Sequence, residues 1–435
     1  MSLEVLIWIA LAVLLVMGTP IFVSLGMASI TVLLLSDIPL SLVMIDLIKV
    51  SDMFPLLAVV GFVFAGALME RGGMAAQIVE VASMLVGHIR GGLGIVTILG
   101  CMFFASMIGS GPGTVAAMGS IMIPSMIKRG YSPEYAAGVS ATGGTLGILI
   151  PPSIMLVFMG SAANVSVGQL FYGAIVPGLL LGAAYIVYIK IVAVVKKDYA
   201  PPMPAEQLAR YSRKQVIWGV IVNVLPVALV IFSVLGAIWL GWCPATEAAA
   251  LGVVASFLIA LLTQSINAQV IKKTLIESIK LTSMVYAVSA FGNLFVTVFM
   301  RLGCSNAVTN LFVHLPLGKW GLFALMMAVV FLLGFLMDWI AVCMITIPIF
   351  VPIATAAGFD ACYFLTMMAI IMQTAFLSPP MAASIFYFQG VAKDRITTAE
   401  TIHGIWPFMA LQVLVFVLCI LFPQIVTWLP GHMIG

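Results

Sequence analysis

Four short stretches of this chain are suited to holding a small ion beside a solute. Residues 109–114 read G-S-G-P-G-T, a run of glycine and proline that cannot continue a helix well. Residues 147–153 (G-I-L-I-P-P-S) and 377–381 (L-S-P-P-M) interrupt two further apolar runs with a proline pair. Each proline removes an N–H and frees the carbonyl four residues earlier. Within a bilayer, lipid cannot partner such groups, whereas a cation, a solute or water can. Freed carbonyls and Ser or Thr hydroxyls are hard oxygen donors, suited to an alkali cation. A half-helix N-terminus nearby favours an anion. The fourth stretch, 337–342, contains Asp338, the only acid placed deep in its apolar segment. A charge there is costly, so it should face a cavity or a cation. The structural alternative is an acid capping the helix that follows. Tip 109–114 and break 147–153 form one candidate ion site, and tip 337–342 and break 377–381 the other. A substrate would lie between the two tips, near the midplane. Ordinary transmembrane kinks are common, and a single break would read as one; four breaks in symmetric positions point to a site.

Membrane helices must position these stretches. Of 435 residues, 63% are hydrophobic and 8% charged, too few charges to cover a soluble fold of this size. A helix needs about 20 residues to cross the ~30 Å hydrocarbon layer. Apolar segments fall near 3–17, 22–36, 53–69, 92–127, 134–163, 170–190, 216–240, 247–265, 282–300, 320–352, 363–390 and 405–428. Segments 92–127 and 320–352 are too long for one crossing and have a polar or Gly-rich middle, so each reads as a re-entrant hairpin. The reading is an all-α polytopic membrane protein of two inverted repeats, with about ten transmembrane helices plus two hairpins. The first repeat spans 1–195, with scaffold helices at 1–90 and a hairpin and broken helix at 91–165. A linker at 196–215 follows. The second repeat spans 216–435, with scaffold helices at 216–318 and a hairpin and broken helix at 319–392.

Two further patterns support this division. Five crossings per repeat would place the second repeat upside down. Lys190, Lys196, Lys197, Arg210, Arg213 and Lys214 put the linker in the cytoplasm, and both termini then fall outside. A shift of 228 positions carries Pro124 onto Pro352, Gly130-Tyr131 onto Gly358-Phe359, Pro151-Pro152 onto Pro379-Pro380 and Ser110 onto Asp338.

The remaining polar residues have quieter readings. Glu247 is a helix-start acid, with a subunit contact as the minor view. Arg301 and Lys319 read as interfacial anchors. Segments 74–90 and 266–280 are amphipathic and read as surface arms bracing a moving part. The N-terminus reads as a first membrane helix and not a cleaved signal. Six scattered cysteines and four isolated histidines make no metal or catalytic cluster. There is no basic tract for nucleic acid and no phosphate-binding loop for ATP. An intramembrane aspartyl hydrolase needs two acids sharing a proton, and only Asp338 qualifies; a serine type needs a base beside Ser110, and no His is placed for it. The expectation is a protein that is not an enzyme.

The stretch GSGPGTVAAMGSIMIPSMIKRGYSPEYAAGVSATGGTLGILIPPS (109–153) resembles the large membrane (M, DctM-like) subunit of tripartite ATP-independent periplasmic (TRAP) transporters. P-A-T-E-A-A-A (244–250), A-F-L-S-P-P (375–380) and the G-F-L-M-D run ending at Asp338 extend the resemblance over essentially the whole chain. The resemblance implies sodium-gradient-driven uptake of a small organic acid by an elevator motion in the bacterial inner membrane, with both termini periplasmic. It implies two partners: a periplasmic binding protein (P) that delivers substrate, and a small four-helix membrane subunit (Q), expected as a separate chain. At least two sodium ions are implied, and no organic cofactor. Carried over by position, the first sodium site involves Ser106, Ser110, Gly113, Gly147, Ile150 and Pro152. The second involves Asp338, Thr374, Ser378 and Pro379. Thr114, Ser153 and Asp338 would face substrate. Many relatives have T-P-P-x-G at the second break, where this chain has Ser378-Pro379-Pro380-Met381-Ala382. C4-dicarboxylates, sialic or other sugar acids and sulfonates stay open as substrates. A stand-alone sodium/dicarboxylate symporter is the nearest rival, sharing hairpins and broken helices but needing no binding protein.

Overall fold

The computed structural model describes residues 2–109, 111–202, 212–263, 266–304, 316–379, 382–392 and 395–433. Ser110, Pro380, Met381 and linker residues 203–211 lie outside the described residues. Among the described residues the chain is helical, without strands. The first half holds α1 (Leu3–Val16), α2 (Ile21–Leu34), α3 (Ser41–Ser51), α4 (Leu57–Arg71), α5 (Met74–Val86), α6 (Gly92–Ile108), α7 (Gly111–Lys128), α8 (Pro133–Leu149), α9 (Ile154–Ala163) and α10 (Val167–Val195). The second half opens with α11 (Arg213–Gly219), which continues through a π-helical turn, Val220–Val224, into α12 (Leu225–Trp239). Then come α13 (Ala245–Leu262), α14 (Ala268–Arg301), α15 (Lys319–Gly334), α16 (Trp339–Ala356), α17 (Ala361–Leu377), α18 (Ala383–Ala392) and α19 (Thr398–Leu421).

The 228-position shift survives in three dimensions. It carries the bounds of α7 onto α16 and those of α8 onto α17. The turns between them share a glycine conformation and two hydrogen bonds. Gly130 and Gly358 both sit at positive φ, 77° and 82°, a conformation open to glycine without a Cβ clash. Tyr131 N–H donates to Met126 O at 3.0 Å, and Phe359 N–H donates to Ala354 O at 2.9 Å. Asp360 then caps α17, accepting from Tyr363 N–H at 2.8 Å, a bond worth about 1 kcal/mol. Lys319 closes the C-terminus of α16 by donating to Gly358 O at 2.7 Å, so this anchor also completes a helix end.

The two hairpins are α6–α7 and α15–α16, and the two broken helices are α8–α9 and α17–α18. Their second halves cross over: α9 packs on α16, and α18 packs on α7. Small residues permit the close contacts. A Cβ on Gly138 would stand 2.2 Å from Gly404 O, so α8 and α19 meet backbone to backbone. Around this group, α13 and α14 each pack on α4, with α2 and α3 against α14 and α1 against α2.

Eight helical stretches among the described residues are long and apolar enough to cross a membrane. One of them, Trp339–Ala356, is a hairpin arm, while the 14-residue α1 and α2 fall below the length required. The fourteen residues of each rise about 21 Å, short of the ~30 Å core. One sequence reading needs correction. Residues 266–280 are not a separate arm: no glycine or proline divides them from the next crossing, and they form the start of the continuous 34-residue α14. The other amphipathic segment, α5, is a separate helix, set off by Gly73 at φ 76°. Arg71 Nε donates to Glu277 Oε2 at 2.8 Å, tying the end of α4 to the first half of α14. Glu247 lies exposed in the first turn of α13, as a helix-start acid should.

Candidate functional site

Each hairpin tip lies along the broken helix that follows it. At the first tip Gly109, at φ 62°, accepts a hydrogen bond from Ile154 N–H at 3.1 Å, where α9 begins. A Cβ on Gly109 would stand 3.0 Å from Pro152 O, and one on Gly111 would stand 3.0 Å from Ile148 Cγ1. Further along, a Cβ on Gly144 would collide with Val115. Gly109 and residues 111–115 therefore run antiparallel to 144–154 at van der Waals distance. The second tip repeats the register. Cys343 Sγ and Met372 Sδ stand 4.0 Å apart, the pair that the 228-position shift derives from Val115 and Gly144. Gly334 meets Ala375, and a small cavity of about 40 Å³ separates Met337, Asp338 and Trp339 from Met372, Ala375 and Phe376. That volume suffices for a water-sized guest.

Within this frame the residues expected for the first ion site have these places. Ser106 is buried on α6, and its Oγ donates to Phe103 O at 2.7 Å. Gly113 is half-buried in the first turn of α7. Gly147 is buried in the last turn of α8. Ile150 ends that helix in extended conformation, its N–H bonded to Leu146 O at 2.9 Å. Pro152 follows a cis peptide bond, with its carbonyl against Gly109. Ser110 lies outside the described residues. For the second site, Thr374 and Ser378 are buried at the end of α17, and Ser378 Oγ donates to Thr374 O at 2.7 Å. Pro379 is exposed. Ala382 N–H closes back on Ser378 O at 3.1 Å, and Ala382 takes a φ of 30°, where an L-residue is strained. Glycine would relax there, which gives physical meaning to the departure from T-P-P-x-G.

A larger cavity, about 440 Å³, opens between the two tips. The first tip provides Gly109 and Gly111, and the second provides Asp338, Trp339 and Ile340. Broken-helix residues Ile148, Ile154, Met155, Phe376, Phe386 and Tyr387 complete two sides, and Leu281, Met284 and Val285 of α14 close another. Asp338 also caps α16, accepting from Ile340 N–H at 3.3 Å, so the capping and cavity readings both describe it. Of the three residues expected to face substrate, Asp338 lines this cavity. Thr114 and Ser153 are fully buried outside its lining, and Ser153 Oγ donates across the break to Ile148 O at 2.5 Å.

Sequence reasoning did not find Trp339, Phe386, Tyr387 or the α14 wall. The repeat shift offered a signal for two of them, because it sets Trp339 against Gly111 and Phe386 against Phe158. Among the described residues, no cluster of His, Cys, Asp or Glu could hold a metal ion by side chains. A cation here would bind mainly carbonyl and hydroxyl oxygens.

The family profile described as "Tripartite ATP-independent periplasmic transporter, DctM component" matches residues 8–425. The C4-dicarboxylate TRAP transporter large permease protein DctM of Pseudomonas aeruginosa is 35% identical over 94% of this chain and 94% of its own length. The isethionate TRAP transporter permease protein DctMQ of Oleidesulfovibrio alaskensis is 29% identical over 97% of this chain, which spans 65% of that longer protein. Among solved structures, the Alcanivorax borkumensis YdaH transporter superposes with a TM-score of 0.63 at 12% identity, covering 89% of this chain and 88% of that one. That likeness shows a shared fold.

Proposed function

This chain belongs to the DctM-component family of tripartite ATP-independent periplasmic transporters, and on that premise we propose that it carries a small organic acid inward, driven by sodium. The observation that carries the reading is the cavity between the two tips, closed on one side by α14. Two helix N-termini open onto it, that of α7 at Gly111 and that of α16 at Trp339. Their N–H groups and dipoles favour an anion. Asp338 adds a negative charge on the same wall, which calls for a cation nearby. Ser106, Gly147, Ile150 and Pro152 at one break, with Gly113 and Ser110 at its tip, would offer oxygens to one sodium. Asp338, Thr374, Ser378 and Pro379 would offer them to another. Sodium here is cargo, moved together with the acid.

The hairpins and broken helices form the moving unit of an elevator, and α14 with its neighbours forms the fixed rail. The two repeats are inverted, the chain sits in the bacterial inner membrane, and both termini face the periplasm. A periplasmic binding protein delivers substrate, and a separate Q subunit stands beside the fixed helices. The fused name DctMQ of the isethionate relative supports a Q partner.

Uptake into proteoliposomes under an inward sodium gradient tests this, with and without the binding protein and Q. Uptake requiring sodium and both partners is the expected result. Uptake that persists when potassium replaces sodium overturns the sodium coupling. Uptake by this chain alone would establish the stand-alone symporter in its place.

A further inference from the structure

The two repeats differ where the cavity opens, at the equivalent positions Gly111 and Trp339. In the second hairpin, Trp339 opens α16 and meets Phe158 of α9 edge to face, with ring centroids 5.6 Å apart. Phe158 is thereby covered, 2% exposed. The 228-position shift turns that pair into Gly111 and Phe386. Glycine fills nothing, and Phe386 stays 65% exposed, beside Tyr387 at 52%, facing the space between the tips. One repeat plugs the position that the other leaves open.

The wall so exposed is apolar and aromatic. Among the described residues lining the cavity there is no Lys, Arg or His, and Asp338 is the one charged group. A dicarboxylate would add two negative charges to that of Asp338. The second carboxylate of a short dicarboxylate would have to leave water for a wall of carbon, with no cationic side chain among the described lining residues to pair with it. A monoanion has one such group to satisfy, at the helix N-termini. Its body would then lie against Phe386, Tyr387 and Trp339, where an apolar or aryl group gains most.

We infer that this cavity selects an organic monoanion with an apolar, preferably aromatic, body over a short dicarboxylate, with Phe386 as the specificity-determining side chain. The inference rests on the proposed function, in that it takes this cavity as the substrate site.

The test is binding of two probes, phenylacetate and succinate, to the full chain in nanodiscs with sodium, co-purified with any small subunit that accompanies it. Phenylacetate should bind at least about tenfold tighter than succinate. Phe386→Ala should weaken phenylacetate by about tenfold and change succinate less than about twofold. Phe386→Leu, which keeps bulk and removes the ring, should fall between and serves if the alanine variant fails to fold. Succinate binding as tightly as phenylacetate overturns the inference. So does absence of phenylacetate binding, or an unchanged phenylacetate affinity in both Phe386 variants. Met284→Trp narrows the same cavity from α14. Binding of either acid undiminished in that variant places the anion elsewhere, and the site reading then fails independently of the selectivity.

Discussion

The two hairpin tips share a backbone plan and differ in chemistry. The first is built of glycines, and it meets its broken helix through main chain, as in the 3.1 Å bond from Ile154 N–H to Gly109 O. The second meets its partner through side chains, as where Cys343 Sγ approaches Met372 Sδ at 4.0 Å, and leaves a small cavity between Met337, Asp338 and Trp339 on one side and Met372, Ala375 and Phe376 on the other. The same register, 228 positions apart, thus yields room in one half and charge and walls in the other. Symmetry fixes where a site can form, and the breaking of symmetry decides what it can hold.

That contrast can be broken or sharpened by substitution. The largest effect belongs to Asp338. Asp338→Ala should reduce uptake in proteoliposomes by about a hundredfold, through loss of a charge that compensates a cation. Asp338→Asn keeps a good cap for α16, so recovery of uptake by that variant would reduce Asp338 to a helix cap. Next comes Trp339→Ala, expected to destabilise by about 3 kcal/mol because a packed ring is lost. Phe386→Ala should stay within about 0.5 kcal/mol, since its ring touches open space. Equal losses in thermal unfolding of the two variants would erase the difference between the tips. Gly109→Ala should cost about 2 kcal/mol, because its φ is left-handed and Pro152 O leaves little space for a Cβ. A variant as stable as the parent in the same measurement would show that the first tip does not depend on close main-chain contact. One effect runs the other way. Ala382→Gly should stabilise by about 1 kcal/mol, by releasing the strain at φ 30°; a lowered unfolding midpoint would mean that this break relaxes without glycine.

Much of this plan is legible in the sequence, for physical reasons. Glycine and proline act through the backbone alone, so G-S-G-P-G and the two proline pairs reveal tips and breaks without knowledge of neighbours. Gly130 and Gly358 likewise announce helix ends, which the structure closes with two corresponding hydrogen bonds each. Positions set by packing are less visible. Whether 266–280 is an arm or the start of α14 depends on what surrounds it, and amphipathicity is the same in both cases. Serine hydroxyls are ambiguous too. Ser153 marks the break correctly, yet its Oγ turns to Ile148 O and leaves the cavity to others. The aromatic wall is hardest to read, because Phe386 looks like any apolar helix residue until Trp339 and Gly111 are seen to occupy equivalent places. The wall from α14 comes from a distant part of the chain, which no local pattern reports.

The crossed packing of the broken helices has a mechanical consequence. Because α9 rests on the second hairpin and α18 on the first, the assembly is a linkage closed in both directions, with few independent joints. Neither hairpin can swing alone without lifting a helix that belongs to the other half. Spin labels on α9 and α16 should therefore hold their separation through a working cycle, while labels on α16 and α14 should not. In the proposed elevator motion, displacement would fall on the seam of Leu281, Met284 and Val285, a greased track of apolar side chains that can be crossed without breaking directional bonds.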